Sequence, residues 1–532
     1  MRLLSVEIIK SYTCGGLLDG LNVNFRESEL IQTSSQGVLS FSPLCFLGMN
    51  GSGKSQLLQA IVEIFQLIIH KANPSRERKP SNPYIEFNIE YIIFDESNNP
   101  IHIRANQQRI KKKLLFSLHK KTNDEFEEIT SENYNNFIPD LIVGYTSGQN
   151  ETLSLPFLVS QRHYAEEVAN AARDNQKNSK AIEDTALMFI DYSTNLEVLI
   201  SNLVMDNQLR SEQILKKLKL DQIHSFRCVI QLNHSAVSTK VILTPELEEY
   251  FQNLINCCTC YNYDLNTATY TIDFFVTDAT ITAFKTFWRN ALDLYTSLHK
   301  ISLLNDLAIR KNIRERFKRD LAKRSFANKL PEPQDEDKVF KFERVRFKTT
   351  KQVVDYVSLS DGEHQLAQIL GVLSMIGKKN VLFILDEPES HFNPQWRTKF
   401  ISNVIDLETI NGKRKNKENL SSMQEMVITT HSPFLPSDMD RNNIFIFSKD
   451  AQNEQIKIFA RNPDNQTFGA KFDNILDDCF AIDPPISKLS EDFINTLLDT
   501  GSIPQIEEAL TQLGQSIQRM KLVARLQMLK VK

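Results

Sequence analysis

A chain of 532 residues exceeds what one average domain needs, and 41% hydrophobic with 24% charged residues gives material for a large core, which excludes a disordered tail protein. A net charge of −4 excludes a uniformly basic nucleic-acid coat, so any nucleic-acid surface must be local. Seven irregularly spaced cysteines exclude a disulfide framework, and no stretch reaches the ~18 uninterrupted apolar residues of a membrane helix, so the expectation is a soluble, cytoplasmic protein without membrane contact.

Met1–Lys10 alternates apolar and polar residues and lacks the apolar block of a signal peptide; within it Leu3–Ile9 reads as a strand, followed by a turn at Gly15-Gly16. The apolar run Leu44–Leu47 leads into a glycine-rich stretch and then a helical pattern from Leu57 to Ile69. Tyr84–Asp95 and Ile101–Lys121 read as strands of a hairpin or meander around an Asn98-Asn99-Pro100 turn, and Asp140–Tyr145 as another short strand. From about Gln161 to Ser325 the periodicity is helical, interrupted by strands at Phe226–Leu232 and Tyr270–Val276. The acidic linker Pro331–Asp337 closes this segment, which reads as an inserted lid. Strand-like sequence resumes at Lys341–Lys348. Val381–Leu385 and Met426–Thr430 are short apolar runs of the buried parallel kind, and the pattern after Ser487 is helical. Internal repeats and sustained heptads are absent.

Gly48-Met-Asn-Gly-Ser-Gly-Lys-Ser55 fits the phosphate-binding loop pattern between a strand and a helix. Gly48, Asn50, Gly51, Ser52 and Gly53 would turn backbone N–H groups around phosphate oxygens, at the positive end of a helix dipole. Lys54 would reach the β- and γ-phosphates, and the Ser55 hydroxyl would ligate Mg²⁺. The strand Val381–Leu385 ends in two carboxylates, where open α/β sheets bind ligands. Asp386 would hold the metal and Glu387 would act as general base on the attacking water.

Ser358-Leu-Ser-Asp-Gly-Glu363 precedes a helical pattern and, taken alone, is a turn with a helix cap. Together with the preceding motifs it resembles the signature of ABC-type ATPases, written here Leu-Ser-Asp-Gly-Glu. The resemblance implies that Ser360, Asp361, Gly362 and Glu363 contact the γ-phosphate held by an opposing subunit. It further implies that His431, in Ile428-Thr-Thr-His-Ser-Pro433, closes its strand against the same phosphate. Asn393 occupies the place where the family's dimer-communicating loop ends in Asp. The family's Mg²⁺-sensing glutamine falls to Gln149, with Gln161 as competitor.

About three hundred residues separate the phosphate loop from the signature, more than the short insert of transporter ATPases. The phrase Asp386-Glu-Pro-Glu-Ser-His-Phe-Asn-Pro-Gln-Trp-Arg397 resembles bacterial defence ATPases: OLD-like proteins, the Septu-type PtuA group, and ATPases associated with restriction systems or retrons. Cys14–Asp19, Tyr145–Gly148 and the tail from Phe468-Gly469 to Leu513-Gly514 look most like the PtuA and restriction-associated group. That resemblance implies a separate HNH-type nuclease as partner and, in retron versions, a reverse transcriptase with its branched RNA–DNA. Downstream of His431 no glutamate and Asp-x-Asp set of the kind a Toprim nuclease needs is convincing.

Arg310–Lys329 carries nine basic and two acidic residues, with Ile309, Ile313, Phe317 and Leu321 every fourth position. It suits a nucleic-acid backbone or an acidic partner, and equally a solvated helix face. Lys413–Lys417 is a second basic stretch. Cys257-Cys258-Thr-Cys260 lacks a second ligand pair at zinc spacing, and Tyr12 reads as a turn residue. The expected fold is α/β, an ABC-ATPase core split in sequence (residues 1–159 and 346–480). A mainly helical lid (160–345) is inserted and helices follow (481–532). ATP and Mg²⁺ would sit between two copies paired head to tail.

Overall fold

The computed structural model describes all residues except 27–40, 148–150, 174–181, 191–193, 206–214, 216–217, 219, 234–240, 324–332, 410–411, 414–422, 451–456 and 532. Its centre is a seven-stranded sheet in the order Lys457–Arg461, Ile444–Asp450, Leu44–Gly48, Glu425–Thr429, Val381–Asp386, Leu141–Thr146, Leu187–Ile190. Every pairing is parallel except that of the first two strands. Strands from sequence positions far apart therefore interleave: the glycine-rich loop follows the third strand, and Asp386 ends the fifth. Leu187–Ile190, which falls within the segment read as a lid, pairs with Ile142–Tyr145 as the edge of this central sheet.

The period-two alternation of these strands divides the interior in two. Leu44, Phe46, Leu382, Ile384 and Val427 face one core, which they share with the helix Lys54–Ala72 and an antiparallel sheet. That sheet runs Leu21–Asn24, Arg2–Lys10, Glu86–Phe94, Pro100–Ile110, Lys113–Thr122, Glu125–Glu128. The helix is buried from Leu57 to Ile69, where apolar residues surround three buried polar ones, Gln59, Glu63 and Gln66. Its one acidic residue, Glu63, accepts hydrogen bonds from Gln59 (2.8 Å) and Asn82 (2.7 Å). Cys45, Leu47, Phe383, Leu385, Met426 and Ile428 face the other core, with the helices Asn195–Met205 and Asp361–Met375.

A third, antiparallel sheet runs Cys260–Asp264, Thr269–Phe275, Gln222–Gln231, Phe340–Lys348, Val353–Asp355, backed by the helices Pro245–Cys257, Asp278–Phe287 and Ala291–Ser302. The strands at Gln222–Gln231 and Thr269–Phe275 lie where the sequence places them. The stretch Ile101–Lys121 is instead two strands, folded at Lys111-Lys112 with φ of 47° and 71°. Both turn residues are left-handed, as a two-residue hairpin requires, but neither is the Asn or Gly that usually marks one. At the C-terminal end the helices Lys488–Thr500, Ile503–Gln512 and Ile517–Val531 gather a small core of their own, centred on Ile494, Leu497, Ile506 and Leu522. Among the described residues, no helix is long and apolar enough to cross a membrane.

Gly144, in the Leu141–Thr146 strand, lets the Phe157 ring lie on the sheet; a Cβ there would sit 2.3 Å from that ring. Phe157 is fully buried and packs against Phe189 of the edge strand. Gly144→Ala is expected to lower stability by about 1–3 kcal/mol through overpacking, seen as a lower urea midpoint; an unchanged midpoint would show that the ring moves freely.

Candidate active site at the carboxyl edge of the central sheet

The glycine-rich loop is forced by contact on one side. Gly48 has φ 139°, and a Cβ there would lie 2.3 Å from the carbonyl oxygen of Phe447 in the neighbouring strand. Gly53, at φ 96°, would drive a Cβ to 2.0 Å from Ile458 Cδ1. Only glycine lets the chain turn this closely beneath the paired strands that carry Phe447 and Ile458 before Lys54 opens the helix. Lys54 is buried at the mouth of this turn. Its Nζ donates to the carbonyls of Gly48 (2.8 Å) and Met49 (3.2 Å) and lies 3.1 Å from Nε2 of His431. The next side chain, Ser55, donates its hydroxyl to Oδ1 of Asp386 at 3.1 Å.

Asp386 ends its strand directly opposite Thr429, whose hydroxyl donates to the same Oδ1. Burial pushes the Asp386 carboxyl above its usual range, while the hydrogen bonds from Thr429 and Ser55 oppose that rise. The chain then turns sharply: Glu387 takes φ 50° and its N–H donates to the Thr429 hydroxyl (3.0 Å) and carbonyl (3.2 Å). Its carboxylate lies 3.1 Å from His431 Nε2, and that hydrogen bond holds Glu387 below the ordinary carboxylate range. His431 Nε2 thus lies 3.1 Å from both the Lys54 ammonium and the Glu387 carboxylate, accepting from the first or donating to the second according to its tautomer.

The structure thus brings Lys54, Ser55, Asp386, Glu387 and His431 together. Ser52 sits in the same loop with its hydroxyl buried and, among the described residues, without a hydrogen-bond partner. That orphan hydroxyl, the glycine turns and the hard oxygens of Ser55 and Asp386 fit a triphosphate with Mg²⁺. Gln149 lies outside the described residues. Gln161 is partly buried in the helix Glu151–Arg173.

Ser360 is exposed and caps the helix Asp361–Met375 in a capping box: its hydroxyl accepts from the Glu363 N–H, and Glu363 Oε2 accepts from the Ser360 N–H at 2.9 Å. Asp361 is also exposed, and Gly362 is buried. Asn393 is exposed and caps the short helix Pro394–Arg397, accepting from the Trp396 N–H at 3.0 Å.

Several site neighbours carry no motif. Glu389 is buried, bonded to the Thr430 hydroxyl, and pushed up to about 7 by burial. Lys449, on the strand beside the loop, brings its ammonium to 3.6 Å from the Cβ position of Gly51. Two threonines closing an apolar strand were the available signal for Thr429 and Thr430; Lys449 has none in sequence.

The basic segment is helical over Lys311–Lys323. Phe317 seats it on Leu155 and Val159, Lys318 pairs with Glu166 at 2.7 Å and the exposed Arg316 with Asp320 at 3.8 Å, so part of its charge is neutralised, while Arg319 is exposed. Among the described residues, no cluster of three or more His, Cys, Asp or Glu side chains is placed to hold a metal, the Cys257–Cys260 turn included. Tyr12 donates its hydroxyl to Glu86 at 2.8 Å, as a turn residue would.

A protein-family profile described as "AAA domain, putative AbiEii toxin, Type IV TA system" matches residues 277–438. That span includes Ser360, Asp386, Glu387 and His431 and leaves the glycine-rich loop outside. This chain carries a P-loop ATPase domain. No curated protein matches the ATPase. Among solved structures, it is similar to the SMC head domain from Thermotoga maritima, with 10% identity and a TM-score of 0.30 over 87% of this chain and 99% of that one.

Burial lowers Lys54 from its ordinary 10.5 to about 8, against the pull of Glu387 and Asp386. The unfolded ATPase then binds more protons than the folded one between these values, so native stability rises with pH across that window. Relative to Lys54→Met, the native ATPase should gain roughly 1–3 kcal/mol between pH 8 and pH 10.5, read by urea unfolding at each pH. A constant difference between the two proteins would contradict the burial of this charge.

Proposed function

We propose that this chain binds and hydrolyses ATP at a site completed by a second copy of itself. The observation that carries this reading is the convergence of Lys54, Ser55, Asp386, Glu387 and His431 at one sheet edge. The Ser360 end of a second helix, meanwhile, faces solvent. In the reaction, the loop N–H groups from Gly48 to Ser55 hold the phosphates and Lys54 leaves its carbonyl partners for the γ-phosphate. Ser55 and Asp386 would hold Mg²⁺, which would supply neutralisation of phosphate charge. Glu387, which His431 holds ionised before nucleotide binds, takes a proton from water as the water oxygen bonds to the γ-phosphorus. The bond to the β-phosphate oxygen breaks, giving ADP and phosphate. His431 passes from its Lys54 and Glu387 contacts to the γ-phosphate and orients that water.

The partner copy would supply Ser360, Asp361, Gly362 and Glu363: a helix N-terminus with an exposed serine at its cap suits an oxygen-rich ligand. In this reading the core comprises 1–159 and 346–480, the intervening 160–345 is a lid and 481–532 are trailing helices. Interleaved strands from both core segments support the split core, whereas Leu187–Ile190, inside the lid bounds, belongs to the central sheet. Closure and opening of the pair would control a separate HNH-type nuclease in an antiphage system of the PtuA type, with a retron reverse transcriptase and its RNA–DNA in some versions. The Asp386–Arg397 phrase supports that placement, and the toxin description of the matching profile is in keeping with it. The exposed Arg316 and Arg319 favour nucleic-acid contact along the Lys311–Lys323 helix.

Glu387→Gln keeps the size of the side chain and removes the base. It should still bind Mg–ATP while releasing phosphate at least about a hundredfold more slowly. Phosphate release at the native rate would remove Glu387 from the reaction.

A further inference from the structure

The turn that carries His431 is held on both sides through one buried acid. Glu389, two residues beyond Glu387, is only 3% exposed. Its Oε1 accepts a hydrogen bond from the hydroxyl of Thr430, which is itself fully buried. That hydroxyl oxygen accepts in turn from the Ser432 N–H at 2.9 Å. The Ser432 hydroxyl then accepts from the Phe434 N–H at 3.3 Å, so the chain leaving the strand is pinned at successive points. Thr430 is also tied to the strand before the glycine-rich loop, its N–H donating to the Phe46 carbonyl at 3.1 Å. His431 thus stands between two residues fixed through the Glu389 carboxyl, while its partly exposed ring reaches Lys54 and Glu387. The other carboxyl oxygen of Glu389 is buried and, among the described residues, has no hydrogen-bond partner. A leucine would avoid that cost, so stability alone does not call for an acid at this position.

Resting on the hydrolysis reading proposed above, we infer that Glu389 is a positioning residue for His431, holding the histidine's turn so that its ring meets Lys54, Glu387 and the γ-phosphate from one backbone position. The Glu387 turn and the His431 turn leave neighbouring strands. Thr429 fastens the first, accepting from the Glu387 N–H, and Glu389 fastens the second through Thr430. The ring changes partners when nucleotide binds, and with the backbone held only its side-chain torsions need turn, which keeps the reacting groups in register. Burial pushes the Glu389 carboxyl up to about 7; Glu387 adds to that rise, while the Thr430 bond and Arg397 oppose it. The Cys45 thiol beside it, pushed up by burial and by Glu389, stays neutral. At pH 6 the carboxyl is therefore mostly uncharged, and its hold on Thr430 needs only an acceptor oxygen, which a glutamine amide also supplies.

The test is steady-state phosphate release by the full-length chain at pH 6, using radiolabelled ATP to reach slow rates, beside direct titration with a fluorescent ATP analogue. Glu389→Leu should lower kcat about tenfold, the loss of one buried hydrogen bond, while KM and analogue affinity stay within about twofold and the urea midpoint does not fall. Glu389→Gln should keep kcat within about twofold of native. Thr430→Val removes the same link from its other end, so it should match Glu389→Leu, and it decides the matter if that variant does not fold. His431→Ala supplies the readout that a merely structural role would not move: in that background Glu389→Leu should cost less than about twofold, because the group it positions is gone. The full loss persisting without His431, a Glu389→Gln chain as slow as Glu389→Leu, or native kcat in both Glu389→Leu and Thr430→Val would overturn the positioning role and leave the ATPase reading standing. A native chain that binds no analogue and releases no phosphate would overturn that reading and this role with it.

Discussion

The register of four parallel strands governs everything at the site. Asp386 stands opposite Thr429 on one side and Thr146 on the other, and Thr429 stands opposite Phe46, two residues before the glycine turn. The carboxyl ends therefore finish in one row, and the loops that leave them meet. A slip of one residue would exchange the faces of every strand, sending Leu382 and Ile384 away from the Lys54–Ala72 helix and separating Asp386 from Ser55. Burial on both faces makes that slip costly, so the same apolar alternation that builds two cores also places the catalytic candidates.

This placement concentrates charge where water is scarce. Lys54 rests on two backbone carbonyls, Asp386 takes hydroxyls from Ser55 and Thr429, and Glu387 leans on His431. Each group is satisfied within the chain, but with partners that a triphosphate could replace. The arrangement trades stability for readiness: a buried cation and a positive-φ glutamate cost free energy that better-solvated residues would not. The Glu387 turn shows the compensation, because two hydrogen bonds from its N–H to Thr429 fix the strained conformation.

The glycine-rich loop was legible because its glycines and its strand-and-helix flanks express a local backbone demand. Asp386 and Glu387 were legible because acids closing an apolar run stand out. Features set by tertiary contact were hidden. Lys111-Lys112 turns a hairpin without the residues that announce one, so two strands read as one. Leu187–Ile190 is four apolar residues, too short to distinguish strand from helix, and its place at the edge of the central sheet is decided only by pairing with Ile142–Tyr145. Gln365 looks like any polar residue of a helix; its burial against Ser390 and His391 depends on where the chain returns 25 residues later. Gln149 lies outside the described residues, so its role stays with the family resemblance.

The central claim is that the Ser360 turn completes a nucleotide site on another copy. The most direct measurement is the solution mass of Glu387→Gln, by light scattering, with and without Mg–ATP. Mass should double with nucleotide, and the doubling should vanish when Ser360→Arg is added, because a bulky cation then fills the place of the hydroxyl. A mass that ignores nucleotide, or a doubling that survives Ser360→Arg, would contradict the account.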